Sequence, residues 1–443
     1  MTESHALERG VSPLDRAHGL RLAGQLEAAL QFACSLLDAA PDDIASAYLV
    51  ARLLQDAQRK GSVAPAANAL LDRFVRRGDL ASACLCAQLI HDAGGNRDAA
   101  LASVAQSFGA GSSRIGDAAS KPPPFPSATD VSPALAKLAG DALLNAAETA
   151  LARFLKTKDT VPADAPLPRL PLFGELAPPV LAKLLAALQV REFSASAFVV
   201  KQGEEGREAF LLARGVLNVV REDEAGSTLL AVLGPGALFG EMALVSQAPR
   251  AASVVAVEPA QVLVAKRSQL EALAQRDPTI ARELGSFCHQ RMVANLIRHS
   301  RILSAVEPAK RHELVSRFAT QTFQPDDVLV RQGEDAGSLF LIATGGVEVR
   351  SVDADGDRVV LAQPGPGDVV GEISLVLRRP ATADVVAVHT TVALELTRDA
   401  CHAAIREHPG LLQQLYEVAT SREEETRSVV AREALDVSDN VLL

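Results

Sequence analysis

The sequence has no tryptophan, two tyrosines and three methionines, and aromatics make up 4% of its 443 residues. Even so, 48% of the chain is hydrophobic. Alanine and leucine must therefore carry the packing, which favours close-packed helices and small strands. Basic residues are also scarce, with 44 Lys and Arg against 54 Asp and Glu and a formal charge of −10. Nucleic acids and anionic membranes reward the opposite balance, so neither is expected as a partner, although a locally basic pocket is compatible with it. The five cysteines, Cys34, Cys84, Cys86, Cys288 and Cys401, are odd in number and form no Cys-x-x-Cys pair. They read as reduced thiols used as small core residues. No run of 18 apolar residues exists, and the opening "MTESHALERG" has no apolar signal core. A soluble, cytoplasmic protein is expected. No His-Glu-x-x-His, Walker A, kinase signature or catalytic triad appears, and the nine histidines are scattered. Neither an enzyme nor a metal site is expected.

What is present falls into segments of different character. Residues 11–107 carry apolar positions three and four apart and few β-branched runs, the pattern of helices. "GQLEAALQFACSLLDAAP" from Gly24 and "GDLASACLCAQLIHDAGG" from Gly78 look alike, each opened by a glycine and closed by a breaker, Pro41 or Gly95. That spacing resembles the second helix of a tetratricopeptide repeat, without the usual aromatic positions in the first helices; a plain helical bundle fits as well. Residues 109–130 are rich in Gly, Ser and Pro and predict a flexible linker. Ser132 and Pro133 then predict an N-cap and first helical position for an amphipathic helix running to about Lys156, which docks on its own chain or pairs with another.

From Leu172 the chain changes to short strand-like runs between glycine turns, and it repeats. Phe193 matches Phe323, Gln202 matches Gln332 and Phe210 matches Phe340, all 130 positions apart. Beyond the "EDEAGS" hairpin the offset is 131: Gly240 and Glu241 match Gly371 and Glu372, and Pro249 matches Pro380. One residue added at a hairpin tip is where a β-fold tolerates it. Each copy predicts a short helix, about eight strands and closing helices, at roughly 267–274 and 278–298 in the first and 399–407 and 409–432 in the second. The expected class is an α+β multidomain protein: a helical hairpin array followed by two β-barrel or jelly-roll domains with closing helices. The expected divisions are a helical repeat-like domain at 1–108, a linker at 109–130, an amphipathic helix at 131–158, a proline-rich linker at 159–170, the two repeats at 171–298 and 299–432, and a tail at 433–443.

Within the first repeat, "FGEMALVSQAPRAASV" resembles the phosphate-binding cassette of the cyclic nucleotide-binding domain family, and "KQGEEGREAFLLARGVLNVV" fits the family with Gly203 and Gly215 at its turn glycines. That family includes the regulatory subunits of cAMP-dependent protein kinase and the bacterial catabolite activator protein. The resemblance covers roughly residues 172–432. It implies a cyclic nucleotide ligand, with Gly240 permitting a tight entry and the backbones of Met242 and Ala243 donating to the phosphate. Glu241 is then expected to accept from the ribose 2′-hydroxyl, and Arg250 to contact an exocyclic phosphate oxygen. Ala251 and Ala252 leave room for the ligand. A threonine directly after the arginine favours cGMP in the family; Ala251 resembles the cAMP-preferring pattern.

The second copy keeps Gly371, Glu372 and Pro380 but carries Ala381 at the arginine position and Asp384 at the position of Ser253. Losing a charged hydrogen bond costs about 1.5–3 kcal/mol, and an inward-pointing Asp384 adds repulsion. A weak or empty second site is expected, unless a shifted loop brings in Arg378 or Arg379. The tail is too short for the DNA-binding part of catabolite-activator relatives, and 109–130 hold no Arg-Arg-x-Ser/Ala run of a kinase-inhibiting segment. The functions left open are a cAMP-responsive regulator or adaptor with its helical array as an arm for an unknown protein partner, a non-catalytic scaffold with vestigial sites, and an inhibitor like a kinase regulatory subunit. The alanine-rich composition points to a GC-rich bacterial source.

Overall fold

The structure is a computed structural model and describes residues 12–116, 130–223, 226–244, 249–352 and 358–440. The chain forms two compact units: Met1–Glu204, Glu208–Glu241 and Arg250–Leu284 in the first, and Glu205–Arg207, Met242–Pro249 and Gly285–Leu443 in the second.

The first unit opens with six helices, α1 (Pro13–Leu22), α2 (Leu26–Ala39), α3 (Ile44–Asp56), α4 (Lys60–Arg76), α5 (Leu80–Asp92) and α6 (Arg97–Phe108), each packed against the next. The two look-alike stretches are α2 and α5. Ser12, Asp43, Asp79 and Asn96 start four of the helices, each accepting a backbone N–H three residues on. Cys34, Cys84 and Cys86 lie in the core of the array, as the composition suggested. Burial pushes the thiols of Cys34 and Cys84 up to about 12, so both stay protonated.

Two segments differ from expectation. The supposed linker is pinned over its start: Ala110 N donates to Leu176 O at 2.8 Å, and β1 (Ile115–Gly116) pairs in parallel with β2 (Leu167–Pro168). Residues 117–129 lie outside the described residues. The helix predicted from Pro133 begins instead at Gly140, as α7 (Gly140–Lys156), after a 3₁₀ turn at Leu135–Lys137. Gln31 donates to Leu138 O at 2.9 Å and Glu27 accepts from Gly140 N at 3.0 Å, so α2 holds the extended break between them. The amphipathic helix docks on its own chain: Phe154 is fully buried, with the Arg73 guanidinium 4.0 Å from its ring centroid.

The first repeat begins with α8 (Pro178–Ala187) and eight strands, β3 (Gln189–Phe193), β4 (Phe198–Val200), β5 (Glu208–Arg214), β6 (Leu217–Asp223), β7 (Gly226–Leu233), β8 (Leu238–Phe239), β9 (Ser253–Ala256) and β10 (Ala260–Lys266). They form two antiparallel sheets ordered β3-β10-β5-β8 and β4-β9-β6-β7. Inward residues such as Phe210, Leu212, Leu217, Val254 and Val262 fill the core. Helices α9 (Arg267–Arg276) and α10 (Pro278–His299) close the repeat.

The second repeat starts with α11 (Arg301–Ser304) and α12 (Arg311–Val315) and has strands β11 (Ala319–Phe323), β12 (Val328–Val330), β13 (Ser338–Thr344), β14 (Val347–Val352), β15 (Arg358–Ala362), β16 (Val369–Val370), β17 (Asp384–Ala387) and β18 (Thr391–Thr397). Their sheets, β11-β18-β13-β16 and β12-β17-β14-β15, repeat the first pair strand for strand. The short α13 (Glu372–Val376) lies between β16 and β17, and α14 (Arg398–Glu407) and α15 (Pro409–Asn440) close the copy. The hairpin tips at 224–225 and 353–357 lie outside the described residues.

The array meets the first repeat through polar groups. His18 of α1 is 2% exposed, with no hydrogen-bond partner on Nε2. Burial, then the neighbouring Arg214 and Arg21, hold its pKa well below 6.5, so it is neutral when folded. The unfolded chain therefore binds the extra proton below about pH 6.5, and stability falls as pH drops through that value, by up to about 1.4 kcal/mol per pH unit. Thermal melts from pH 7.5 to 5 are expected to show a loss that is smaller in His18→Asn. Parallel curves for the two proteins contradict this.

Candidate functional site

The two cassettes sit on one backbone plan. In the first, Gly203 N donates to Arg250 O at 2.9 Å and Arg250 N to Glu204 O at 2.8 Å. In the second, Gly333 N donates to Ala381 O at 2.8 Å and Ala381 N to Glu334 O at 2.8 Å. The loop that carries the arginine is thus held by main-chain bonds that do not depend on its side chain. Both entry glycines have positive φ, +73° at Gly240 and +86° at Gly371. A Cβ on Gly240 would lie 3.1 Å from Arg250 Nη1 and from Phe210, and one on Gly371 would lie 2.5 Å from Ser338 O. Glycine is required at both positions by conformation and by space.

In the first site, Arg250 is half-buried and points back over the sheet. Its Nη2 donates to Glu208 O at 2.7 Å and its Nη1 to Gly240 O at 3.1 Å. The guanidinium lies 5.9 Å from the Phe210 ring centroid. Burial lowers its pKa, while the carboxylates of Glu208, Glu241 and Glu204 oppose that shift. A cation partly stripped of water, aimed by two carbonyls, is suited to an oxyanion. Glu241 is 4% exposed and begins a single 3₁₀ turn, Glu241–Leu244. The structure thus brings Gly240, Glu241, Arg250, Ala251 and Ala252 into the first unit. Met242 and Ala243 continue the turn but belong to the second unit, where Met242 packs against the core containing Met292 and Leu296.

The second site has the same frame and different side chains. A cavity of about 50 Å³ is lined by Gly371, Glu372, Ser374, Ala381 and aliphatic residues of the sheets. Glu372 is 2% exposed. Asp384 does not line this cavity: its Oδ1 accepts from Gln332 N at 2.7 Å, the same service that Ser253 Oγ performs for Gln202 N at 3.0 Å. The residue that looked like a repelling charge is a loop clamp. Neither Arg378 nor Arg379 lines the cavity, and Arg379 pairs with Glu423 at 3.0 Å. The cation that does reach it is Arg422 of α15, which pairs with Glu372 at 3.0 Å and also donates to Val369 O. Sequence reasoning missed Arg422. Its only signal was position on the closing helix, 50 residues after Glu372.

Among the described residues, no group of three or more His, Cys, Asp or Glu side chains could hold a metal ion, and no helix is long and apolar enough to cross a membrane.

Both repeats have relatives among known proteins. The family profile described as cyclic nucleotide-binding domain matches residues 190–277 and 320–408. The chain is 28% identical over 218 residues to the cAMP-dependent protein kinase regulatory subunit of Yarrowia lipolytica, covering 49% of this chain and 54% of that protein. It is 27% identical over 223 residues to the type II regulatory subunit of Drosophila melanogaster, covering 50% and 56%. The chain spans about half the length of the curated relatives it matches. Similar solved structures include the regulatory domain of Toxoplasma gondii PKA with cAMP, at 25% identity and TM-score 0.26 over 56% of this chain and 92% of that one. Another is Thermus thermophilus catabolite activator protein, at 27% identity and TM-score 0.26 over 34% and 89%. Residues 190–277 and 320–408 are therefore two cyclic nucleotide-binding domains in tandem, carried behind an α-helical array and homologous to those of cAMP-dependent protein kinase regulatory subunits.

Proposed function

We propose that the protein is a cAMP-responsive regulator whose first cyclic nucleotide-binding domain is the working sensor and whose second is weak or empty. The observation that carries this reading is the contrast between Arg250 and Ala381 on matched backbone. Arg250 offers a desolvated guanidinium beside a buried Glu241, whereas Ala381 leaves the second cavity with a carboxylate already paired to Arg422. The relatives named as cAMP-dependent protein kinase regulatory subunits support a regulatory role over a catalytic one. Ala251, where threonine would favour cGMP, supports cAMP as the ligand. The helical array serves as the arm for a protein partner, and α10, which follows the first sensor, carries the signal toward the second domain.

Calorimetric titration of cAMP and of cGMP into the full chain tests this. One site per chain with cAMP preferred is expected. Absence of binding by either nucleotide would leave a scaffold with vestigial sites, and two equal sites would make the second domain a working sensor as well.

A further inference from the structure

The first pocket has a second structural route outward, apart from its closing helix. Helix α1 carries three buried polar side chains three apart, Asp15, His18 and Arg21, at 4%, 2% and 9% exposure. Two of them grip the first nucleotide-binding domain. Asp15 pairs with Arg214, the last residue of β5. Arg21 donates to Glu192 of β3 at 2.8 Å, and Glu192 also accepts from Gln261 of β10 at 2.6 Å. At the opposite end of β5, the carbonyl of Glu208 accepts from Arg250 at 2.7 Å. The Glu208 carboxylate takes both terminal nitrogens of Arg191, at 3.0 and 2.9 Å, and Arg191 directly precedes Glu192 in β3. One strand thus holds Arg250 at its first residue and α1 at its last, and a second route runs from Glu208 through its ion pair with Arg191 and along the β3 backbone to Glu192.

The chemistry of this docking face differs from that of a core. Buried ion pairs give little net stability over apolar packing, yet they are costly to leave half broken, so small displacements matter. Polar faces within a chain are also the kind that separate. In the pocket, both terminal nitrogens of Arg250 are committed to carbonyls. Three of the five guanidinium N–H groups stay available, so an arriving phosphate oxygen pulls on the same group and, through its bond to Glu208 O, on the start of β5.

We propose that ligand binding at the first pocket changes the docking of α1 through β5 and the Glu208–Arg191–Glu192 link, making the helical array a direct readout of that pocket. This rests on the reading of the first pocket as a cyclic nucleotide site. Coupling requires an element with two arrangements that both sites bias, and the ion-paired α1 is that element.

The test is hydrogen exchange of the 13–22 segment in the full-length protein with and without cAMP, alongside calorimetry. In the wild type, cAMP is expected to change α1 exchange by roughly fivefold or more. Arg191 has a side chain 40% exposed, so Arg191→Gln should fold. That variant is expected to bind cAMP within about twofold of wild type while losing more than half of the α1 response. Binding of cAMP with no change in α1 exchange overturns the proposal, as does an α1 response undiminished in Arg191→Gln. Calorimetry separates these outcomes from failure of the pocket reading: no cAMP binding at all refutes both.

Discussion

Arg250→Ala is expected to weaken cAMP binding by about ten- to a hundredfold while leaving the first domain folded. The loss follows from removing one charge-assisted hydrogen bond to the phosphate, worth about 1.5–3 kcal/mol. The retained fold follows from the backbone: the loop is held by Gly203 N to Arg250 O and Arg250 N to Glu204 O, at 2.9 and 2.8 Å, and neither bond involves the side chain. The chain contains its own control. Ala381 occupies the matching position and makes the matching pair of bonds, both at 2.8 Å. The substitution does leave Glu208 O without its 2.7 Å donor, so a small drop in melting temperature is expected. Calorimetry paired with thermal melts separates affinity from stability. Undiminished affinity in a folded variant would mean that the phosphate is held elsewhere and that the role given to Arg250 is wrong.

Much of this was legible because the relevant signals are local or periodic. The cassette declares itself in a short span, since the left-handed Gly240, the buried Glu241 and Arg250 follow one another closely in sequence. The repeat offset fixed the tandem arrangement, and the two pairs of sheets reproduce the same strand order. What was not legible depended on register or on distant partners. Whether Asp384 turns into the cavity or toward Gln332 is set by pairing within the sheet, where Asp384 sits opposite Arg350. The contact of Arg422 with Glu372 joins a helix face to a cassette across the second domain, with no spacing rule to announce it. The stripe of Asp15, His18 and Arg21 carries no signal of burial in the sequence, and only the facing Arg214 and Glu192 make it an interface. Pro133 carried a valid start signal and a 3₁₀ turn follows it, yet Gln31 and Glu27 of α2 hold an extended break at Leu138 and Ala139 and move the start of α7 to Gly140.

Ala381→Arg is expected to create a second cyclic nucleotide site and raise the cAMP stoichiometry from one to two. The backbone at residue 381 already matches that at 250, so the new side chain leaves the chain in the same direction. Its acceptors are also in place. Arg250 rests on the carbonyls of Glu208 and Gly240, and the matching positions are Ser338 and Gly371, with Ser338 O close beside Gly371. Phe340 matches the Phe210 that underlies the arginine. Electrostatics favour the change as well: the Glu372 carboxylate is offset by Arg422, so a further guanidinium gives the cavity a net positive charge for one phosphodiester. Asp384 does not oppose it, because its oxygen is engaged by Gln332 N at 2.7 Å. The gain should amount to about ten- to a hundredfold in affinity over the native second cavity. The decisive measurement is titration in an Arg250→Ala background, where any strong site belongs to the second domain. A folded double variant that stays silent would show that charge is not what the second cavity lacks, and would shift attention to Arg422, which pairs with Glu372 in that cavity.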